Sequence, residues 1–526
     1  MIRIEGLKLP FYYDEEALRA AAAKALAVGK REIGTVTVVR EATDGRKKPK
    51  LYKVVTAECS LPPKKEAAAV KRGKGVAYAV PYVYELPENR YGGAERPVVV
   101  GAGPAGLFGG LVLAKAGLKP LLLEAGEEAA VRRRDILSFC AGGPLKEHSN
   151  IEFGEGGAGM FSDGKLTTGT KDRRHRFIIE TMIGHGAPES IGYLAKPHIG
   201  SDYLGTMTEN LRRTILSLGG SFRFRCRLTD FRLENGGLKA IVVTGENGEE
   251  TIPCDRLLLA VGHSARPTAA RLYELGADVA RKPFSVGVRI EHLQRELNIA
   301  QYGAENAAVT ADYKLSCHLA NGRSVYTFCM CPGGVVVPAS SEPGTVVTNG
   351  MSEWARDGEN GNSALLVSVR PDDFPGDDPF GGVRFQRELE EKAFALGGGG
   401  YFAPAQRAED FLAGRVTSSW GKVRPTYRPG VTMADLNALF PAFVRESLKE
   451  ALPLLGKKLS GFDDGDAVLT AAETRSSSPY RILRDENGSS ALYGVFPAGE
   501  GSGYAGGIMS SAADGMRIAE AIIKGS

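Results

Sequence analysis

One segment, residues 97–124, restricts the fold of this chain more than any other. It opens with the apolar run Pro97-Val98-Val99-Val100 and passes directly into Gly101-Ala102-Gly103-Pro104-Ala105-Gly106. An apolar helix then extends to about Ala116, and a second apolar strand ends before Glu124. Strand, glycine-rich turn, helix and strand in this order predict a βαβ unit of Rossmann-like type.

The spacing of the glycines in this turn predicts that it binds the pyrophosphate of a dinucleotide. Gly101 permits the tight turn out of the strand, and Gly103 lets the backbone approach the phosphates. Gly106 lets the helix pack closely on the strand. Pro104 and Ala105 begin the helix, whose N-terminus attracts phosphate through its free N–H groups and its dipole.

Glu124 lies 23 residues after Gly101, at the end of the second strand. A carboxylate at this position can accept hydrogen bonds from ribose hydroxyl groups. The same carboxylate would repel a 2′-phosphate, so the sequence predicts bound FAD or NAD rather than NADP.

Two later segments complete a resemblance to the glutathione-reductase-type FAD proteins. The run Leu257-Leu258-Leu259-Ala260-Val261-Gly262 is similar to the apolar strand that ends in Ala-Thr-Gly in that group, with Val261 in the threonine position. Residues 493–501 are similar to the C-terminal flavin motif, with Glu500 where the group has Asp. The resemblance implies that FAD is the cofactor, that Gly262 contacts it, and that Glu500 binds the ribityl chain.

Much of residues 97–520 resembles a narrower family of uncharacterised FAD-dependent dehydrogenases, which is distantly similar to geranylgeranyl reductases. The segments that carry this resemblance are residues 154–168, 196–202, 262–266, 289–292, 329–334 and 473–479. Ala125 stands where the family has Arg, so Arg132 is expected to supply that charge. The resemblance implies a flavoenzyme and leaves the substrate open.

Two glycine-rich stretches are expected to contact the flavin itself. Residues 503–508 lead into the last predicted helix, whose N-terminus would stabilise negative charge on the reduced ring. Residues 154–165 are expected to pass against the ring, although a purely structural Ω-loop is the alternative. The predicted cofactor contacts are Gly101, Gly103, Pro104, Ala105, Gly106, Glu124, Arg132, Gly157, Gly159, Leu228, Gly262, Glu500, Gly506, Gly507 and Ile508.

Reduction of a double bond requires a protein group that supplies or removes a proton. The catalytic candidates are His198, Lys165, Glu473 and Arg475, with Glu291 and His292 as further acid–base candidates. Each of these residues, taken alone, also fits a structural role. No Cys/His set has zinc spacing, and the sequence predicts no metal site.

The seven cysteines are few, odd in number and scattered, which argues against a disulfide scaffold. Cys329 and Cys331 lie two residues apart, so on a regular strand both would face the same side. They are either a redox pair near the flavin or two inert buried thiols. Because the spacing Cys-x-x-Cys is absent, a disulfide relay is not expected.

The predicted fold class is α/β, with a Rossmann-like FAD-binding domain that combines the βαβ unit with a β-meander. An α+β substrate domain is inserted into it, and a small α+β module precedes it. The predicted domains are 1–92 (basic module), 93–270 (FAD-binding domain, first part), 271–469 (substrate or cap domain) and 470–526 (FAD-binding domain, C-terminal part).

Residues 1–96 hold 19 Lys and Arg against 12 Asp and Glu. Their run Arg46–Lys50 is either a solvated hairpin end or a contact for an acidic partner or nucleotide.

Together these features predict an FAD-dependent oxidoreductase that moves a hydride through flavin N5 to or from a small organic molecule. Two alternatives remain open: a flavin-binding RNA-modification or nucleic-acid-associated protein, and an NAD-binding redox sensor. Nucleic acid is the less favoured partner, because the basic module lacks a recognisable nucleic-acid signature. Without a second Gly-x-Gly-x-x-Gly, NAD(P)H would bind transiently or a redox protein would donate the electrons.

The N-terminus lacks an apolar leader, so the expected compartment is the cytoplasm. The longest apolar run, Val98–Ala114, is explained by the βαβ unit, and no membrane span is predicted. The oligomeric state is not predicted.

Overall fold

The computed structural model describes residues 1–374 and 376–526. A five-stranded sheet forms the centre of the dinucleotide-binding part, with every neighbouring pair parallel. Across the sheet the strands are Val495–Pro497, Leu257–Leu259, Val98–Val100, Leu121–Leu123 and Ser221–Arg223. The three middle strands are unbroken apolar runs because both faces of a parallel sheet are covered. The predicted α/β class with a parallel sheet is confirmed.

Two helices, Pro104–Lys115 and Ile508–Ile523, pack against each other on this sheet. Glycines make the close approach possible. A Cβ atom on Gly109 would lie 3.0 Å from the carbonyl oxygen of Gly515, and one on Gly515 would lie 2.0 Å from that of Ala105. The last helix is therefore held directly against the helix of the βαβ unit.

The predicted β-meander forms a separate antiparallel sheet with the strands Arg227–Glu234, Gly237–Gly245 and Gly248–Pro253. The chain turns at Arg225, where φ is 52°, between Ser221–Arg223 of the parallel sheet and the first meander strand. The strand Leu257–Leu259 follows the meander in the chain but pairs with Val98–Val100 in the parallel sheet.

The N-terminal module is a four-stranded antiparallel sheet with two helices. Its strands, in sheet order, are Val36–Lys47, Lys50–Cys59, Ile2–Pro10 and Val76–Tyr78. Its helices are Glu15–Leu26, which Asp14 caps by accepting the Ala17 N–H at 2.8 Å, and Pro63–Arg72. The first two strands form a hairpin whose turn lies at Lys48–Pro49.

This module is docked on the rest of the chain through its second strand and hairpin. Glu41 donates its N–H to the Tyr193 carbonyl at 2.7 Å and accepts the Ala195 N–H at 2.8 Å. At the hairpin, the Asn306 side chain donates to the Pro49 carbonyl at 2.7 Å. The basic run Arg46–Lys50 therefore ends in a contact within the molecule.

A seven-stranded sheet forms the centre of the predicted substrate domain. Its strands, in sheet order, are Ser316–His318, Ser324–Cys331, Asn360–Val369, Phe284–Leu293, Val468–Glu473, Ala403–Arg407 and Val431–Met433. The pairs are antiparallel except the last, which is parallel. The helices Gly381–Leu396 and Ala442–Gly456 contribute to its apolar core. Pro441 occupies the N-cap position of the second of these helices.

Six further α-helices and two two-stranded pairs complete the part of the chain that the structure describes. The helices are Ala129–Cys140, Arg174–Gly184, Ser201–Ser217, Arg266–Glu274, Gln294–Tyr302 and Ala408–Ala413. The strand pairs are Val335–Pro338 with Thr348–Met351 and Val279–Arg281 with Tyr480–Ile482. Asp202 lies in the first turn of the helix Ser201–Ser217, and its carboxylate accepts the Trp354 N–H at 2.9 Å. None of the helices in residues 1–374 and 376–526 is long and apolar enough to cross a membrane.

Candidate functional site

A cavity of about 1580 Å³ opens at the carboxyl ends of the three middle strands of the parallel sheet. This is the edge at which open α/β sheets bind their ligands. The turns that follow the middle strands Val98–Val100 and Leu257–Leu259 line the cavity, and so does the turn that follows the edge strand Val495–Pro497. The cavity extends from this edge to residues of the seven-stranded sheet, including Thr327 and Glu473.

The first glycine turn has the predicted geometry at one wall of the cavity. Gly101 has φ +101°, and a Cβ atom on it would lie 2.3 Å from the Ala260 carbonyl oxygen. Gly101, Gly103, Pro104 and Ala105 line the cavity, where the helix Pro104–Lys115 begins.

Gly106 does not line the cavity and acts in packing. A Cβ atom on it would lie 1.8 Å from the Gly101 carbonyl oxygen, so any side chain would push the helix away from the turn. The predicted role of Gly106 in packing the helix therefore fits, but its inclusion among direct cofactor contacts does not.

Glu124 lines the cavity, and its carboxylate is fixed by three backbone N–H groups. These belong to Ala102 at 2.8 Å, Gly126 at 2.9 Å and Gly154 at 3.1 Å. A carboxylate has about four lone-pair sites, so one remains for a ribose hydroxyl group. The three bonds hold the acid in place before any ligand binds.

Arg132 lies behind the cavity and does not line it, which corrects the prediction that it contacts the cofactor. Its guanidinium is fully buried and donates to the carbonyls of Asn150, Ile151 and Glu155 at 2.7–2.8 Å. It also donates to the Gly157 carbonyl at 3.0 Å. Arg132 thus fixes the shape of the glycine-rich loop that reaches the cavity.

The glycine-rich loop and the start of the last helix meet at the cavity. A Cβ atom on Gly157 would lie 3.0 Å from the Gly103 Cα, and one on Gly159 would lie 2.8 Å from Ile508 Cγ1. Gly157, Gly159 and Ile508 all line the cavity. Two segments that are far apart in the chain therefore form one wall.

The other predicted contacts in the turns also line the cavity: Leu228, Gly262, Glu500, Gly506 and Gly507. The Glu500 carboxylate lies 3.4 Å from His263 Nδ1, and the other ring nitrogen of that buried histidine has no protein partner. His263 was not singled out as a contact from the sequence. A buried ring nitrogen without a protein partner, beside Glu500 in the cavity wall, fits a polar group of a bound ligand.

Lys165 and Glu473 lie in the cavity wall away from the parallel sheet. The Lys165 ammonium pairs with Asp163 at 2.8 Å and also donates to the Met330 carbonyl. Burial raises the pKa of Glu473 to about 7, against the opposing charge of Arg289, whose nearest nitrogen is 3.4 Å away. Glu473 can therefore both donate and accept a proton near neutral pH.

Arg475 also lines the cavity, but its hydrogen bonds are already occupied. It donates to Glu390 at 2.8 Å, Ser341 at 2.6 Å and Ser264 at 3.2 Å. It therefore connects the turn after Leu257–Leu259 to the predicted substrate domain. This arrangement supports a positioning role better than the predicted catalytic one.

His198 does not line the cavity, which corrects its assignment as a catalytic candidate. Its ring stacks on Trp354 with centroids 4.7 Å apart, and its Nε2 lies 3.1 Å from the Trp354 carbonyl oxygen. Burial lowers its pKa, so the ring is neutral at physiological pH. Glu291 and His292 are also absent from the cavity wall and bond to Thr426 and Phe462.

We expect His198→Phe to leave flavin binding and turnover unchanged, because the ring only packs against Trp354. The loss of one hydrogen bond to a carbonyl predicts a stability decrease of about 1 kcal/mol. Urea unfolding measures the decrease, and flavin content and turnover serve as the functional readouts. A tenfold fall in turnover with flavin content intact would return His198 to the catalytic set.

Cys329 and Cys331 do not face the same side, contrary to the prediction. The pairing of the Ser324–Cys331 strand with its neighbour shifts between Phe328 and Cys331, and Cys329 has φ 44°. Cys329 consequently lines the cavity, whereas Cys331 is fully buried. Among the described residues, no group of three or more His, Cys, Asp or Glu side chains could hold a metal ion.

Several cavity residues carry no motif and were missed. They come from the loop before Ser316–His318, from the two-stranded pair Val335–Pro338 with Thr348–Met351 and its turn, and from the helix Gly381–Leu396. These residues are Asp312, Tyr313, Lys314, Ser341, Glu342, Asn349 and Arg387. Only their position in the fold brings them to the site.

Comparison with known proteins identifies the family. An uncharacterised protein of Clostridium beijerinckii is 42% identical over 531 residues, covering 99% of this chain and 98% of the other. The chain belongs to the same family as this clostridial protein. Residues 283–476 match the family described as FAD-dependent protein, C-terminal domain-like, and residues 1–60 match a domain of unknown function. FAD is the cofactor of this protein.

Solved structures resemble this FAD-dependent protein only distantly. The flavin-dependent brominase Bmp2 has a TM-score of 0.37 at 12% identity, covering 82% of this chain and 78% of the other. A geranylgeranyl bacteriochlorophyll reductase-like protein of Thermoplasma acidophilum has a TM-score of 0.33 at 12% identity, covering 80% and 75%.

Proposed function

We propose that this protein is an FAD-dependent oxidoreductase that moves a hydride between flavin N5 and a small organic molecule. One observation carries the proposal: a single cavity joins the dinucleotide turn to Glu473 of the FAD-dependent C-terminal domain. Cofactor and acid–base group would therefore share one enclosed space.

The cavity fits FAD together with a second molecule. Ligand pockets commonly measure about 300–1000 Å³, and this one measures about 1580 Å³. Gly101 and Gly103 would hold the pyrophosphate, Glu124 a ribose, and Glu500 with Gly507 the ribityl chain and the ring. When bound, FAD supplies two-electron hydride chemistry that protein side chains lack.

Glu473 would move the proton that accompanies the hydride. Its side chain is buried and lines the cavity, and its carboxylate also lies 3.5 Å from the Thr348 hydroxyl group. A pKa of about 7 places it near the optimum for general acid–base catalysis at neutral pH. Arg289 holds the carboxyl group in position from the side away from the cavity.

Lys165 would orient the polar end of the substrate. Asp163 stays ionised, because the charges of Lys165 and Arg356 outweigh its burial and keep its pKa at about 2. The permanent carboxylate keeps the Lys165 ammonium at the cavity wall. A carbonyl or carboxylate oxygen on the substrate would find a charged donor there.

Replacing Glu473 with glutamine should slow turnover by about 10²–10⁴-fold, the usual contribution of a positioned acid or base. The amide keeps the shape of the side chain but cannot exchange a proton, so flavin content should not change. The rate of substrate reduction or oxidation, measured beside the flavin-to-protein ratio, tests this. Equal rates in the variant and the wild type would remove Glu473 from the mechanism.

The same variant should change how stability depends on pH. The folded-state pKa of about 7 lies above the ordinary value of 4.5, so the protonated carboxyl group favours the folded state. That stabilisation is complete below about pH 4.5 and is lost as pH rises through about 7. Urea midpoints between these limits should fall less steeply in Glu473→Gln than in the wild type.

The proposed function is tested on the purified protein reconstituted with FAD. Flavin absorption that bleaches anaerobically with NADH, NADPH or reduced ferredoxin, and returns on adding an organic oxidant, supports an oxidoreductase. A protein that binds no FAD, or whose bound flavin no donor reduces, contradicts it. Retention of nucleic acid by the full chain, lost on deletion of residues 1–92, would instead favour a nucleic-acid-associated function.

A further inference from the structure

Two cysteines line the cavity among the described residues, and Cys226 is buried whereas the more accessible one is Cys329. The irregularity in its strand turns it toward the cavity, and it is half-buried there. Lys165 and Glu473 line the same cavity. A nucleophilic atom, a cation and a proton donor therefore share one enclosed space.

Positive charge lies close to the Cys329 segment on two sides. From the strand Phe284–Leu293, which is separated from Ser324–Cys331 by Asn360–Val369, Arg289 donates to the Cys329 carbonyl at 2.9 Å and lies 3.6 Å from the Cys331 sulfur. From the glycine-rich loop, Lys165 donates to the carbonyl of the intervening residue, Met330. Both cations would stabilise a thiolate at Cys329.

Cys331 supports that thiolate as a hydrogen-bond donor. It is fully buried and donates to the Cys329 carbonyl at 3.3 Å. Burial raises the pKa of Cys331 well above its ordinary value, so this thiol keeps its proton. The pair is therefore asymmetric, with one half-buried nucleophile at the cavity wall and one fully buried donor.

The groups around Cys329 together lower its pKa. The hydrogen bond from Cys331 and the charges of Arg289 and Lys165 lower the pKa of Cys329 to about 6, against the opposing effects of burial and of Asp163. A large fraction of Cys329 is then thiolate at neutral pH, where an ordinary thiol is mostly protonated.

We propose that Cys329 is a nucleophilic thiolate that adds to α,β-unsaturated carbonyl compounds that enter the cavity. The sulfur lone pair forms a C–S bond to the β-carbon, and the electron pair of the C=C bond moves toward the carbonyl group. Protonated Glu473 then supplies a proton to the α-carbon and becomes a carboxylate beside Arg289. The addition needs no oxidant or reductant and so is chemically independent of the proposed hydride transfer.

The test uses N-ethylmaleimide, itself an α,β-unsaturated carbonyl compound, on the full-length protein with FAD bound and after FAD is stripped. Labelling rates at each cysteine are measured by mass spectrometry across a range of pH. Cys140, a half-buried cysteine whose pKa is raised by burial, is the internal reference. Because the FAD-stripped protein is included, loss of the proposed oxidoreductase function would not hide this reaction.

We expect Cys329 to react about tenfold faster than an ordinary thiol at pH 6, since its larger thiolate fraction outweighs its lower intrinsic nucleophilicity. Its rate should reach half its maximum near that pH. Lys165→Met and Cys331→Ala should both move the midpoint upward, and Cys331→Ser, which keeps a donor, should restore it toward the wild type. A rate no higher than that of Cys140, or a midpoint unchanged by these variants, would overturn the proposal.

Discussion

Gly101→Ala is expected to produce a folded protein that retains little or no FAD. Gly101 has φ +101°, and an added Cβ would lie 2.3 Å from the Ala260 carbonyl oxygen. Left-handed backbone costs a non-glycine residue about 1–2 kcal/mol, and relief of the clash must move the turn that we propose holds the pyrophosphate. Since 1.4 kcal/mol corresponds to tenfold in affinity, we expect FAD to bind at least about tenfold more weakly.

Gly142→Ala is the matched control for this variant. Gly142 also has positive φ, +89°, but a Cβ there meets no atom within 4 Å, and the residue lies outside the cavity. It shares the backbone strain of Gly101→Ala without the clash. Equilibrium titration of the FAD-stripped variants measures the affinity of each for FAD. An equal loss of affinity in both variants would show that backbone strain alone, rather than displacement of the turn at Gly101, weakens binding.

Glu390→Gln is expected to lower the free energy of unfolding by about 3–5 kcal/mol, as when one partner of a buried ion pair is removed. Glu390 is fully buried, and its carboxylate lies 2.8 Å from Arg475 and 3.0 Å from Arg266. Although burial acts to raise it, these two charges hold the pKa of Glu390 well below its ordinary value. The amide would leave both guanidinium groups without their shared counter-charge.

The neighbouring residue supplies the control for this prediction. Glu391 is exposed, so Glu391→Gln should change the free energy of unfolding by less than about 0.5 kcal/mol. Urea unfolding at neutral pH compares the two variants. If both variants lower the free energy of unfolding by equally small amounts, the charge of Glu342, which also lies 2.8 Å from Arg266, is sufficient to neutralise the two arginines.

The local parts of the site could be predicted from the sequence. Gly101, Gly103 and Glu124 lie within one βαβ unit, so their relative positions follow from the geometry of a strand, a turn and a helix. The C-terminal flavin segment, including Glu500 and Gly507, could be recognised because its motif is also continuous.

Residues whose role depends on distant partners could not be predicted. Arg132 was expected at the cofactor, but the backbone carbonyls of the glycine-rich loop bind it from behind. His198 packs on Trp354, more than a hundred residues later in the chain. Cys329 reaches the cavity only because the strand is irregular, a property that two-residue periodicity cannot reveal.

The order of the central strands has a consequence for biosynthesis. Leu257–Leu259 and Val495–Pro497 are neighbours in the sheet, yet the whole seven-stranded sheet is synthesised between them. A nascent chain that has completed Leu257–Leu259 therefore carries an apolar strand edge whose partner strand, Val495–Pro497, has not yet been synthesised. Unpaired apolar strand edges promote aggregation. Because Glu500 and Ile508 follow Val495–Pro497 in the chain and line the cavity, this part of the cavity wall forms only after that strand has been synthesised.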